Sequence, residues 1–338
     1  MTPTALVMAF ALLPAPPAVK NVPPTQTNLR AGVEKALPVL WKGIDGYNAK
    51  RTCFACHHHT LPLLAITTAR TRGFDAEQKQ LDDLAGFITD HFEGMRERLE
   101  KGNGPGPGPV GGGADNTGYA LFAFELLGVK PNKTTEAVAG YTLAFPGERD
   151  HWRSSGNRPP SEATDFTTTA VALRGVQRYA PEAKKEEVAR RVAAARTWLL
   201  KAKAGDTEER VFRLLGLKES GAKAEEVAAA AKELLDTQGK DGGWAQTERQ
   251  FSDAYATGSA LYALHTAGGV KTDDPAYVNG LRFLLGTQLD DGSWHVRTRS
   301  RPVQKYFESG FPHGTDQFIS CAATGWATAA LALACETK

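Results

Sequence analysis

Two stretches decide the fold: residues 238–244, QGKDGGW, and residues 288–294, QLDDGSW. Both read Q-x-x-D-G-[GS]-W, and the same spacing twice in one chain marks a repeated structural unit. Asp-Gly makes a tight turn, which assigns Asp241 and Asp291 to turns. Gln238 and Gln288 carry amides suited to a helix end. Trp244 and Trp294 carry rings large enough to stack across the junction of two helices. The motif is therefore expected to tie neighbouring helical repeats together. A degenerate copy is expected at Asp45, Gly46 and Tyr47.

Working outward from these turns, one pattern recurs: a polar turn with Asp or Thr, then a helix of small and apolar residues. It covers residues 59–73, 115–129, 165–180, 206–217, 253–268 and 320–335. Between the copies lie amphipathic segments at 29–41, 75–99, 134–145, 182–201, 224–237 and 275–287. In one of them Val188, Val192, Ala195 and Leu199 share a helical face, with Lys and Glu opposite. The first set is apolar nearly all round, so those helices are buried on both sides. The second set has one wet face.

Alternating buried and half-wet helices imply an all-α double ring, an α6/α6 toroid with an inner and an outer helical barrel. Inner helices then run the same way and their N-termini share one rim. Asp115, Asp165, Asp206 and Asp253 stand at those starts. An N-cap role contributes about 1 kcal/mol each; the other reading is a role in a central cavity. Tyr119, Phe122, Phe124, Tyr255, Tyr262 and Trp326 are expected to line that cavity.

The formal net charge is +2, which argues against a nucleic-acid surface. No apolar run reaches the roughly 18 residues of a membrane span. Residues 1–18 resemble a signal peptide, with an unbroken apolar run at 5–13 but no basic n-region. Residues 19–28 read as a proline-rich linker, and the toroid is expected over 29–338. The expected location is exported, periplasmic or in the cell envelope. Residues 102–113, GNGPGPGPVGGG, read as a rim loop and not as a phosphate loop. Residues 296–305, VRTRSRPVQK, place Arg297, Arg299 and Arg301 on the rim, where they can hold an anion.

The chemistry concentrates in residues 51–65, RTCFACHHHTLPLLA. Cys53, Cys56 and His57 spell C-x-x-C-H, the spacing used to attach haem c through two thioethers and a proximal histidine. Met95, His58, His59, His295 and His313 are the candidates for a distal ligand. A second reading is a zinc site. Aligning the first and last inner helices sets Cys56 opposite Cys321, so Cys53, Cys56, Cys321 and one of His57, His58 and His59 make a tetrahedral donor set. A third reading is a structural cysteine pair with surface histidines. Taken alone, Cys321 and Cys335, in an Ala-rich run, read as small buried core residues.

The paired turns and the sequence from 237 onward resemble the QW motif of the terpene cyclase and protein prenyltransferase superfamily, squalene–hopene cyclase in particular. The resemblance covers most of residues 29–335 and implies the α/α toroid. It also implies an isoprenoid or triterpenoid ligand. Squalene–hopene cyclases protonate an alkene with an Asp in a D-x-D-D-T-A motif. The nearest stretch here is ATDFTTTA at 163–170, where Asp165 alone matches and the partner carboxylates are absent. Prenyltransferases hold zinc with Asp, Cys and His, which points to Asp316 and Cys321, at a spacing unlike that family's.

The leading expectation is an exported toroid with covalent haem c at its rim, an apolar cavity for an isoprenoid-type ligand, and a redox partner. The alternatives are a terpenoid cyclase or prenyltransferase-type enzyme, and a non-catalytic binding toroid with a zinc or structural cysteine site.

Overall fold

Small residues let inner helices approach closely, and charged faces keep outer helices at the surface; the chain alternates the two. The structure is a computed structural model that describes residues 19–105, 113–145, 149–302 and 304–337. The expected signal segment and most of the 102–113 loop lie outside the described residues.

In chain order, α1 (Gln26–Asn48) is outer and α2 (Leu61–Arg70) inner. The outer α3 (Gln78–Glu93) and the short α4 (Arg96–Glu100) precede the inner α5 (Ala114–Leu126). The outer α6 (Lys133–Ala144) leads to the inner α7 (Asp165–Tyr179). The outer α8 (Lys185–Lys201) leads to the inner α9 (Thr207–Glu219). The outer α10 (Ala224–Leu235) leads to the inner α11 (Ala254–Thr266), and the outer α12 (Pro275–Thr287) to the inner α13 (Gln317–Leu333). The two-residue strands Trp244–Ala245 and Ser252–Asp253 form a small hairpin before α11.

The inner helices pack in sequence and α13 packs back on α2, so the ring closes. At Gly258 an added Cβ would stand 2.5 Å from the Ala327 nitrogen; no side chain fits that approach of α11 to α13. Closure also uses polar ties. Gln288 donates to the Gly32 carbonyl at 2.9 Å, and Gln26 donates to the Ala334 carbonyl at 3.0 Å. The double ring expected from periodicity is therefore present, with all its inner and outer segments in order.

The two QW turns make the same bonds. Gln238 donates to the carbonyls of Gly242 and Ala276, both at 2.8 Å; Gln288 donates to those of Gly292 and Gly32. Asp241 and Asp291 accept from the backbone N–H of Gly243 and Ser293. Trp244 and Trp294 donate Nε1–H to Leu234 and Leu284, ten residues back. Their backbone N–H groups donate to Thr257 and Thr324 on the next inner helix. Gly242 and Gly292 sit at φ 84° and 90°, the left-handed region open to glycine. Each motif thus ties two outer helices and one inner helix.

A third junction of this kind has no sequence signature. Trp152 donates Nε1–H to Thr142, again ten residues back, and its N–H donates to Thr169. Asp45, Gly46 and Tyr47, expected as a degenerate copy, instead lie within α1. That helix runs on past residue 41 because Ile44 and Tyr47 continue its buried face.

Candidate functional site

A π-helical turn, Cys56–Thr60, leads into α2 and changes the helical pitch just where the histidines fall. The three histidines have different environments. His59 accepts from the Ala55 N–H at 3.0 Å on Nδ1 and donates Nε2–H to Asn48 at 2.8 Å. His58 pairs through Nε2 with Ser309 at 2.8 Å, while its buried Nδ1 has no partner. His57 is half-buried as a residue, yet its Nε2 is sealed from solvent and has no partner. Burial keeps His57 and His59 neutral, with pKa values lowered to about 3, and lowers His58 well below its ordinary value.

Cys53 meets the Tyr47 hydroxyl at 3.1 Å. Cys56 is buried, and its thiol donates to Glu162 Oε1 at 2.6 Å. Burial pushes that thiol up to about 12, so it keeps its proton. Arg158 pairs with the other oxygen of Glu162. Cys56, His57 and Glu162 form a group whose donor atoms all lie within 4.8 Å of one another.

This group lines a cavity of about 380 Å³ on the rim where inner helices start. Arg158, Arg301, Tyr306 and Phe318 line it too. A second cavity of about 240 Å³ opens at the far end, lined by Arg174, Glu219, Tyr262 and Trp326 among others. A larger cavity, about 1100 Å³, is an outer groove between α1 and residues 73–80. It lacks the buried reactive groups of the rim, so the rim pocket is the better candidate despite its size.

Glu208 lies below the rim pocket, on α9, and is 3% exposed. Tyr255 bonds to both Glu208 Oε1, at 3.2 Å, and Ser161 Oγ, at 3.1 Å. Ser161 lines the rim pocket. Thr167 also donates to Glu208 at 3.2 Å, whereas Oε2 has no partner. Burial first, then the charge of Asp206, raises this carboxyl to about 8; Tyr255, Thr167 and Arg299 act the other way. Glu208 therefore holds its proton at neutral pH.

Several expected site residues are placed elsewhere. Among the described residues, the metal-type donor group does not include Cys321. Cys321 is packed with Leu40, Ala65 and Phe311, toward α1, because a helical turn points it away from the ring's interior. Cys53 is outside the donor group as well. Asp316 bonds to His295 at 2.8 Å and so does not join Cys321. His295 stacks on His313 at 4.8 Å, remote in contact from the Cys56 group. Met95 packs against the core between α3 and α4.

Asp165 lines neither cavity. Its oxygens accept from the Ser154 N–H at 2.9 Å and contact His151 Nε2 at 3.2 Å, holding the loop that enters α7. Thr164 is the actual cap there, and Gly113 precedes α5, so only Asp206 and Asp253 of the four aspartates cap their helices. Asp115 braces Ser155 and Thr168 instead. Arg301 lines the pocket, Arg299 bonds to Gln246 at 2.8 Å, and Arg297 is exposed, so the three do not converge. The expected central cavity is divided: Tyr119 and Tyr255 fill the middle, and Phe124 faces outward to Phe92 and Tyr179.

Glu162, Arg158 and Glu208 were not singled out by motif reading. Glu162 lies in an aperiodic loop with no local signal. Glu208 had one: Asp206, Thr207, Glu208 and Glu209 read D-x-E-E, the D-x-D-D spacing with glutamates in the last two positions.

No family model matches the chain. Squalene–hopene cyclase from Bradyrhizobium diazoefficiens is 32% identical over 111 residues, 28% of this chain and 16% of that protein. The matched stretch is thus less than a fifth of the relative's length. Among solved structures, a variant of the type II terpene cyclase MstE from Scytonema, in complex with geranylgeranyl dihydroxybenzoate, aligns with a TM-score of 0.59. Its identity is 13%, over 91% of this chain and 98% of that one. A protein from Actinoplanes aligns at TM-score 0.58 and 17% identity, over 88% and 99%. These likenesses establish a terpene-cyclase-like helical toroid. No helix among the described residues is long and apolar enough to cross a membrane.

Proposed function

We propose that this terpene-cyclase-like toroid is a cyclase-type acid catalyst acting on an oxygen-bearing isoprenoid held in the rim pocket. The observation that carries this reading is Glu208, a buried carboxyl that is protonated at neutral pH and linked by Tyr255 to Ser161 in the pocket wall. Glu208 passes its proton to the Tyr255 oxygen, Tyr255 passes its own to Ser161, and Ser161 protonates the substrate oxygen. An epoxide opens to a hydroxyl, a carbon–carbon double bond closes on the cationic centre, and loss of a proton completes an isomerisation; an allylic alcohol instead releases its oxygen as water, and the net change is a dehydrative cyclisation. A carboxyl near 8 is a weak acid, which favours an epoxide or allylic oxygen over a bare alkene as acceptor. Tyr306 and Phe318 in the pocket wall present aromatic faces that stabilise a cation.

The test is incubation with squalene, squalene 2,3-epoxide and geranylgeraniol, followed by product analysis. The oxygenated substrates should be consumed, and Glu208→Gln should keep ligand binding while losing about 10²–10⁴-fold in turnover. An equally active Glu208→Gln protein removes the mechanism. Ligand-induced shifts in Tm without turnover favour the non-catalytic binding toroid.

The C-x-x-C-H spacing favours a second reading, haem c with an exported location and a redox partner. As folded, Cys56 and His57 line the rim pocket while Cys53 lies against Tyr47, so attachment needs residues 51–56 to rearrange. We therefore derive no step through a haem. A Soret band that survives denaturation, after maturation in an oxidising compartment with haem-attachment machinery, is its test.

A further inference from the structure

We propose that Cys56, His57 and Glu162 bind a divalent transition-metal ion of the zinc class, with its remaining coordination position open to the rim pocket. The inference stands apart from the cyclase reading, because neither Glu208 nor the Tyr255 relay contributes a ligand.

Three observations converge. First, the donor atoms lie within 4.8 Å of one another, with Cys56 Sγ 3.6 Å from His57 Nδ1. Zinc bonds of about 2.0–2.3 Å at tetrahedral angles set ligand atoms roughly 3.5 Å apart. The 2.6 Å contact of Cys56 with Glu162 is an S–H···O hydrogen bond, and replacing its proton by an ion lengthens it toward that value.

Second, His57 makes no other hydrogen bond. Its Nε2 is sealed and unpartnered, whereas both nitrogens of His59, two residues on, are engaged. Nδ1, the nitrogen that faces the sulfur, meets no protein group but Cys56, so no other hydrogen bond competes with an ion for the ring.

Third, the donors suit one class of ion. Thiolate, imidazole and carboxylate together favour zinc or cobalt over magnesium or calcium, which take oxygen ligands. Three protein ligands beside a cavity is the arrangement of an open zinc site, not a closed structural one. Arg158 stays on the second oxygen of Glu162 and orients it. Binding releases the Cys56 thiol proton to solvent and involves no change of oxidation state. The ion would polarise an oxygen of whatever enters the pocket.

The experiment titrates the metal-free full chain with Co²⁺. One equivalent should bind with a thiolate charge-transfer band and tetrahedral d–d absorption, and zinc should displace it. Cys56→Ser should abolish the charge-transfer band. Glu162→Gln should weaken binding at least about 100-fold, beyond the loss typical of an outer-shell change. Cys53→Ser and Cys321→Ser should titrate like the parent chain. X-ray absorption of the unmutated zinc-loaded chain should show one sulfur neighbour and the rest nitrogen or oxygen, a readout that does not depend on a variant folding. No cobalt–thiolate band, two or more sulfur neighbours, or loss of the band in Cys321→Ser overturns the proposal.

Discussion

The QW junctions and the Cys56–Thr60 turn are both buried polar structures, yet they are built in opposite ways. At the junctions every named group is paired: glutamine amide to carbonyls, indole N–H to a helix end, aspartate to its own turn. The same bonds recur fifty residues later, as expected of a fastener. At the rim the pairing is incomplete. His57 Nε2, His58 Nδ1 and Glu208 Oε2 are buried without partners. An unsatisfied buried polar atom costs about 1–3 kcal/mol, so a fold retains several together where they serve something other than stability. The junctions and the rim thus differ in how completely their buried polar groups are paired.

That contrast breaks if stability does not follow it. The largest loss is expected at a junction: Trp294→Ala should destabilise by about 3–5 kcal/mol in denaturant unfolding, since it empties a buried site and frees the Leu284 carbonyl. A loss below about 1 kcal/mol would mean the motif does not fasten the ring. Within the histidine turn, His59→Ala should cost about 2–3 kcal/mol because both ring nitrogens are used. His57→Ala should cost less than His59→Ala in the metal-free chain, and the reverse order would place His57 in the scaffold.

The pH dependence sharpens the same division. Glu208 titrates at about 8 when folded against an ordinary 4.5. The folded state holds a proton that the unfolded chain releases, so stability falls as pH rises between those values. Asp253, raised to about 6, adds to this slope. His57 and His59, lowered to about 3 from 6.5, have the opposite sign: stability falls as pH drops through that window. Subtracting the Glu208→Gln stability profile from the parent's should isolate a decline between about pH 5 and 8; parallel profiles would show that Glu208 is not buried as a neutral acid. The smallest effect is expected at Arg301→Ala, on the exposed pocket mouth: unfolding free energy unchanged within about 0.5 kcal/mol, with weaker ligand binding the only readout.

Local signals carried the ring and the fasteners because both are repetitive. Periodicity of small and apolar residues repeats with each helix pair, and a seven-residue turn motif repeats within itself. The Trp152 junction shows the limit: it makes the same bonds as Trp244 without Gln or Asp-Gly, since the indole alone reaches the carbonyl ten residues back. The site was legible only in part. Cys56 and His57 were visible as a spacing. Glu162 was not, because it stands 106 residues from Cys56 in a loop without pattern. Cys321 looked equivalent to Cys56 by alignment of helix starts, yet it faces Leu40 and Phe311.

The sequence by itself determined an all-α ring of alternating buried and half-wet helices, and where its turns lock. Those properties depend on residues a few positions apart, so helical geometry converts spacing directly into facing. Tertiary structure alone decided which polar groups meet. It drew Glu162 to Cys56 and His57, set Glu208 under Ser161 and Tyr255, and divided the middle of the ring with aromatic side chains. Those choices depend on which way a side chain points when distant loops converge on one rim, and one residue of helical rotation turns a ligand toward the cavity or into the wall.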